Sequence, residues 1–479
     1  MAEAMPACAA LGDVPVATPD SPAGACATRT APLGRELWAL GGPAIAHMLL
    51  VTVVFAVQRL VIGHYDSLAL ASLQVSALLV WTLYSLFGAV GVAALGLIGR
   101  AIGAGDRARA AAVARLTLQS AAVLGVLAAL PLGLFARPIC RTLFPSASGP
   151  VLDEAERYLL VVAPALPFAL VEGAAAACLQ GAGDTRTPLY AAAAGNVLHV
   201  VVAATLVGGA FGLPELGVRG AALGAAVAFT VQALWLCHAL YRTGSPLELR
   251  APATRRRAVS RTLARLTWPL LGDKLLYHAG DLAFVAIIGL AGASAMAANQ
   301  ALLSVEAACF LTAEGLGVAA ATLVAHKLGA GQLGQARRVG WVAAASAAAA
   351  LAVGAVLFVA APRLLVGAFT RDAAVVELGA RTLWVAALAQ PFMGFATVAA
   401  MSLRGAGASR TVLVTMVISS VGVRLGASYL LGVVLDLGLP GAWLGSTLDW
   451  IVRAAALGIA WWRGGWQRPP ASTGARHAA

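Results

Sequence analysis

Long apolar stretches alternate along this chain with short segments that hold much of its Gly, Pro and Arg. A segment that crosses a bilayer needs roughly 20 consecutive apolar residues. Six such segments fall at about 37–63, 68–99, 110–136, 156–178, 187–210 and 217–241, and six more at about 262–290, 294–325, 338–361, 379–402, 411–434 and 440–462. Lipid leaves no backbone group unpaired, and the period-two alternation of a membrane barrel is absent, so every segment is expected to be a helix. The pattern predicts an all-α membrane protein with 12 transmembrane helices in two repeats of six.

The repeat is written in the sequence itself. Leu179–Tyr190, LQGAGDTRTPLY, returns as Leu403–Val414, LRGAGASRTVLV, and Gly103-Ala104-Gly105 returns as Gly329-Ala330-Gly331. Pro43, Gly63 and Gln74 return as Pro269, Gly289 and Gln300, and Gly220 with Gly224 returns as Gly441 with Gly445. Each Gly-Ala-Gly reads as a tight turn between apolar runs. An even number of spans per half makes the repeats parallel, related by an axis along the membrane normal.

Composition agrees: 60% of the residues are apolar and only 11% charged, too few charges for a water-facing surface. The formal net charge of +12 raises nucleic acid as a partner, but no basic patch is interleaved with aromatics on a soluble domain, so none is expected. The arginines instead set orientation. Arg100, Arg107, Arg109, Arg115, Arg186, the run from Arg242 to Arg261, Lys327, Arg337, Arg338, Arg404 and Arg410 fall on one side, and fewer fall on the other. By the positive-inside rule both termini and the 242–261 linker are expected in the cytoplasm. The expected organisation is a disordered tail at 1–33, a six-helix lobe at 34–241, the linker, a second lobe at 262–465 and a tail at 466–479. The six cysteines form no CxxC and read as small buried hydrophobes. Trp461, Trp462 and Trp466 read as an interfacial anchor, and the paired Gly-x-x-x-Gly as faces for close helix packing.

The paired turns, Gly195-Asn196 in span five, Val-Arg-Leu at 423–425 and the Gly-rich starts of spans six and twelve, in this order, resemble the MATE family of multidrug and toxic compound extrusion transporters over residues 35–465. The resemblance implies two six-helix lobes around a central cleft that opens alternately to the two sides. It also implies export of a cationic or amphipathic small molecule against inward H⁺ or Na⁺, by a chain in the cytoplasmic (inner) membrane, expected to act as a monomer. Many prokaryotic members carry Asp in spans one and five where this chain has Gln58 and Val200. No cofactor beyond the coupling ion is expected. No nucleotide-binding, HExxH or GxSxG motif appears, so neither ATP coupling nor an intramembrane enzyme is supported. A flippase or exporter of a lipid-linked or natural-product substrate in the wider superfamily, and a plain membrane scaffold, are the rival readings.

Ionisable groups inside spans are costly, so each is a functional candidate. Asp281 in span seven and Glu306 in span eight are expected to meet in the second lobe and share a charge, as ion coupling requires. Glu172, the deep acid of the first lobe, reads either as a carrier or as a lock paired to Arg59, His47 or His199. Asp273 is followed by Lys274, and Asp449 has Arg453 one turn on, so these two acids and Glu314 read as structural. Gln58, Gln74, Asn196, Tyr277 and Gln300 are the candidate cleft residues.

Overall fold

The structure, a computed structural model, describes residues 33–144, 148–242, 244, 245, 247, 249 and 256–467. The expected tail at 1–33 lies outside the described residues except for Leu33, which opens a helix, and so do the residues after 467 and most of 243–255. The helices run in order: α1 (Leu33–Tyr65), α2 (Ser67–Phe87), α3 (Ala89–Gly103), α4 (Arg107–Leu134), α5 (Ala136–Leu143), α6 (Gly149–Val162), α7 (Leu166–Gly181), α8 (Arg186–Val207) and α9 (Val218–Tyr241). There follow α10 (Arg256–Gly289), α11 (Ala293–Gly329), α12 (Leu333–Ala360), α13 (Pro362–Gly367), α14 (Ala373–Gly405), α15 (Ser409–Met416), α16 (Gly426–Tyr429) and α17 (Gly438–Arg463).

This is a helical, multi-pass membrane protein, and ten segments among the described residues are long and apolar enough to cross a bilayer. Two expected spans, the seventh and twelfth, fall outside that count. They are α10 and α17, helices of 34 and 26 residues that carry Asp273, Lys274 and Asp281, and Asp449 and Arg453, within their length. Several expected boundaries shift. The second span bends at Gly88 between α2 and α3, and the fourth passes through one 3₁₀ turn, Ala163–Ala165, where Pro164 and Pro167 remove backbone donors. The expected linker is shorter than 242–261, because α10 already begins at Arg256.

The Gly-Ala-Gly turns show why their composition repeats. The last glycine of each, Gly105, Gly183, Gly331 and Gly407, has φ between 73° and 95°, the left-handed cap that ends a helix at little cost only with glycine. The first glycine of each admits a neighbouring backbone: a Cβ on Gly181 would lie 2.8 Å from the Leu95 carbonyl oxygen, and one on Gly405 would lie 2.5 Å from that of Ala321. Aspartates cap three other helix starts, as Asp66, Asp106 and Asp372 accept backbone N–H groups of the first turns of α2, α4 and α14.

The halves interlock at one end. Val259, Leu263 and Leu270 of α10 bury themselves among α3, α4, α7 and α9 of the first half. Leu37 of α1 correspondingly joins the core built by α11, α12, α14 and α17. The tryptophans at the end of α17 depart from the expected interfacial anchor. Gly464 turns the chain back (φ 70°), so Trp466 stacks on Trp461 with centroids 4.1 Å apart and both are buried, leaving Trp462 alone exposed.

The Gly-x-x-x-Gly faces do pack closely. A Cβ at Gly224 would stand 2.9 Å from the His199 carbonyl oxygen, and at Gly445 2.3 Å from the Ser428 amide nitrogen. Gly445→Leu is therefore expected to force α17 off its neighbour, at a cost of more than about 3 kcal/mol. Thermal unfolding in detergent should show a drop of several degrees or loss of folded protein, whereas Gly334→Leu, where a Cβ meets nothing within 4 Å, should unfold as the parent does.

Candidate functional site

The second half holds a cluster of polar groups from four helical segments. Between α15 and α16 the chain winds as a π-helix, Val417–Leu425, a wider turn than its counterpart in the first half, where α8 is regular. Such segments recur at functional sites because they re-aim side chains. Here the wide turn presents Arg424. Its guanidinium donates to Asp281 of α10 at 3.2 Å and lies over the Phe284 ring, 4.1 Å from the centroid. Glu306 of α11 accepts at 3.2 Å from the Gln390 side-chain amide of α14, and Gln390 also donates to the Ala386 carbonyl one turn back. Arg424 and Asp281 are both within electrostatic reach of Glu306.

The expected pair of bare carboxylates is thus corrected: Asp281 and Glu306 belong to one cluster, but an arginine ion-pairs with the first and an amide holds the second. Tyr277, one turn before Asp281 on α10, stands edge-on to His278 at 5.4 Å. Sequence reasoning met Arg424 only within the Val-Arg-Leu at 423–425 and passed over Gln390. The signal was present, since an amide that interrupts an apolar span next to Pro391 needs a partner, but nothing linear says which.

In the first half, Glu172 of α7 accepts the Tyr84 hydroxyl of α2 at 3.0 Å. The adjacent Gly173 leaves space for that hydroxyl, which would be 2.9 Å from a Cβ there. The proposed lock is not formed. No ion pair joins Glu172 to a described residue, Arg59 is exposed, and His47 and His199 are buried with one ring nitrogen each left without a partner. The tyrosine, absent from the sequence-derived candidates, is what the glutamate meets.

The remaining cleft candidates scatter. Gln58 is buried and donates to the Tyr158 hydroxyl at 3.4 Å, inside the first half. Asn196 donates to the Leu50 carbonyl at 3.5 Å, tying α8 to α1. Gln300 is exposed, and its neighbour Asn299 is the buried one, accepting the Trp443 indole N–H at 3.1 Å; one residue along a helix turns a side chain by about 100°. The side chain of Gln74 lies outside the described residues.

Two further acids are structural, as expected, though one has a different partner. Asp449 accepts from Arg453 at 2.5 Å, both buried. Asp273 does not use Lys274, which points elsewhere on the helix, but pairs across to Arg404 of α14.

This is a duplicated helical membrane protein, interlocked at one end, with a single buried glutamate in the first half and a partly buried charge cluster in the second. The MatE family profile matches it twice, over residues 43–205 and 269–430, and the chain belongs to that family. It is 28% identical over 440 residues to the probable multidrug resistance protein NorM of Thermotoga maritima, covering 91% of this chain and 93% of that protein. It is 30% identical to the probable NorM of Pseudomonas putida, covering 89% and 94%. Among solved structures, a MATE in the bent conformation superposes with a TM-score of 0.81 at 18% identity, covering 90% of this chain and 94% of that one. The eukaryotic MATE transporter AtDTX14 superposes at 0.78 with 21% identity, covering 91% and 96%. These place the fold.

The two kinds of acid should respond differently to neutralisation. Asp449→Asn strands a buried guanidinium and is expected to cost about 3–5 kcal/mol. Glu172→Gln breaks no ion pair and keeps a group that can accept the Tyr84 hydroxyl, so it should cost under about 1.5 kcal/mol. Thermal unfolding of the two purified variants beside the parent checks the order, and a larger loss for Glu172→Gln would restore the lock.

Proposed function

We propose that this chain is a secondary active antiporter that exports organic cations or amphipathic drugs in exchange for H⁺, by alternating access between its two six-helix lobes. Membership of the MatE family and the naming of the NorM relatives as probable multidrug resistance proteins support export of drug-like molecules. The bias of arginines supports a position in the cytoplasmic membrane with the interlocked end and both termini inside. The arrangement described above is then the outward-facing one.

One observation carries the choice of proton over sodium. Each candidate carboxylate, Glu172 and Glu306, is met by a hydrogen-bond donor, a tyrosine hydroxyl in one half and a glutamine amide in the other. A sodium site converges oxygen acceptors on a bare cation and is opposed by a fixed positive charge nearby. Glu306 has Arg424 within electrostatic reach and Asp281 already neutralised by it. A carboxyl in this setting exchanges a proton with far less rearrangement than it would bind and release a metal ion. Glu306 is the second-lobe carrier in this reading and Glu172 the first-lobe one, while Asp281 holds Arg424 in place. An organic cation entering the cleft competes with the proton for the same negative charge, which links export to proton entry.

Efflux of a fluorescent organic cation is measured in inverted vesicles under a pH gradient alone and a Na⁺ gradient alone. Transport is expected with the first and not the second. Glu306→Gln is expected to lower gradient-driven efflux at least tenfold while the protein still folds. Export driven equally well by Na⁺ would sink the proton assignment, and Glu306→Gln at the parent rate would remove Glu306 as a carrier.

A further inference from the structure

The interlocked end contains a pair of contacts that obeys the internal repeat. Arg100, near the end of α3, and His326, near the end of α11, are 226 residues apart, the same offset that relates Gly103 to Gly329. Each crosses to the Gly-Ala-Gly turn of the opposite half. His326 places Nε2 2.8 Å from the Gly181 carbonyl oxygen in the turn after α7. A carbonyl can only accept, so Nε2 carries the proton and donates. Arg100 donates to the Ala406 carbonyl in the turn after α14. Gly181 and Ala406 are one residue out of register in the repeat, as the longer guanidinium reaches one carbonyl further.

The backbones beneath these side chains touch in the same reciprocal way. A Cβ on Gly103 would stand 2.1 Å from the His326 carbonyl oxygen, and a Cβ on Gly329 would stand 2.1 Å from that of Arg100. Beside them, fully buried Thr322 donates to the Gln180 carbonyl at 3.0 Å. Below the second turn, Arg404 is pinned by Asp273 of α10, so the turn that Arg100 grips is itself fixed to α10.

We infer that Arg100 and His326 are paired positioning residues that latch the two lobes shut at this end, each by donating to the opposite half's Gly-Ala-Gly turn. The inference rests on the alternating-access reading above and adds to it which groups must part. Opening this end separates α3 from α11, which breaks both side-chain bonds and the Thr322 bond together, while the helices within each half keep their packing. The carbonyls are released at the ends of helices, where water can replace the lost donors. The seam is consequently a two-state contact and not a permanent core.

The test uses the full chain with its six cysteines replaced by alanine and Thr322→Cys as a reporter buried in the seam. Inverted and right-side-out vesicles are exposed to a charged maleimide. His326→Leu and Arg100→Met remove a donor and keep bulk, and each is expected to raise labelling in inverted vesicles about tenfold, whereas His326→Gln, which retains an N–H donor, should stay within about twofold of the parent. Gly329→Ala introduces a clash that exists only in the closed seam and should shift labelling in the same direction. Thermal unfolding is followed alongside, since a purely structural role would lower stability without making labelling side-selective. Parent-like labelling in His326→Leu, Arg100→Met and Gly329→Ala, or an equal rise from both faces, overturns the latch. A parent whose reporter never becomes accessible in inverted vesicles during substrate efflux would instead refute alternation itself.

Discussion

Everything at the interlocked end depends on how closely backbone can approach backbone where α3 and α11 cross. The glycines at 103 and 329 leave no room for even a methyl group, and the first glycines of the turns at 181 and 405 are similarly confined. That constraint fixes the crossing of the two halves, brings the turns within reach of Arg100 and His326, and lets α1 and α10 each begin in the core of the opposite half. Side chains of ordinary size would hold the helices several ångströms further apart, beyond the reach of any of these hydrogen bonds.

The two halves share a scaffold but not a chemistry. Arg424 occupies the position that repeats Val200, Asp273 the position that repeats His47, and the π-helix of the second half has no counterpart in α8. The second half therefore carries a charge cluster made of Asp281, Arg424 and Glu306, and the first half a simpler glutamate and tyrosine. Duplication supplies the architecture, and divergence of single deep residues supplies two inequivalent sites. The buried pairs Asp449–Arg453 and Asp273–Arg404 differ again: they satisfy charges that would otherwise stand alone in a low-dielectric interior.

The sequence by itself determined the all-helical membrane class, the duplication and the family, because apolar run length and Gly-Ala-Gly spacing are local properties that lipid and backbone sterics translate directly into helices and turns. It also determined the Asp449–Arg453 pair, which needs only the four-residue period of one helix. The tertiary structure decided the partners that cross between helices. Asp273 chose Arg404 over adjacent Lys274, Glu172 met Tyr84 and not Arg59, Asp281 met Arg424 before it could meet Glu306, and Asn299 in place of Gln300 turned inward. Each of those outcomes depends on rotation about a helix axis and on which helices are neighbours. A shift of one residue turns a side chain through more than a quarter of a circle, and no linear pattern in a uniformly apolar span records which way it faces.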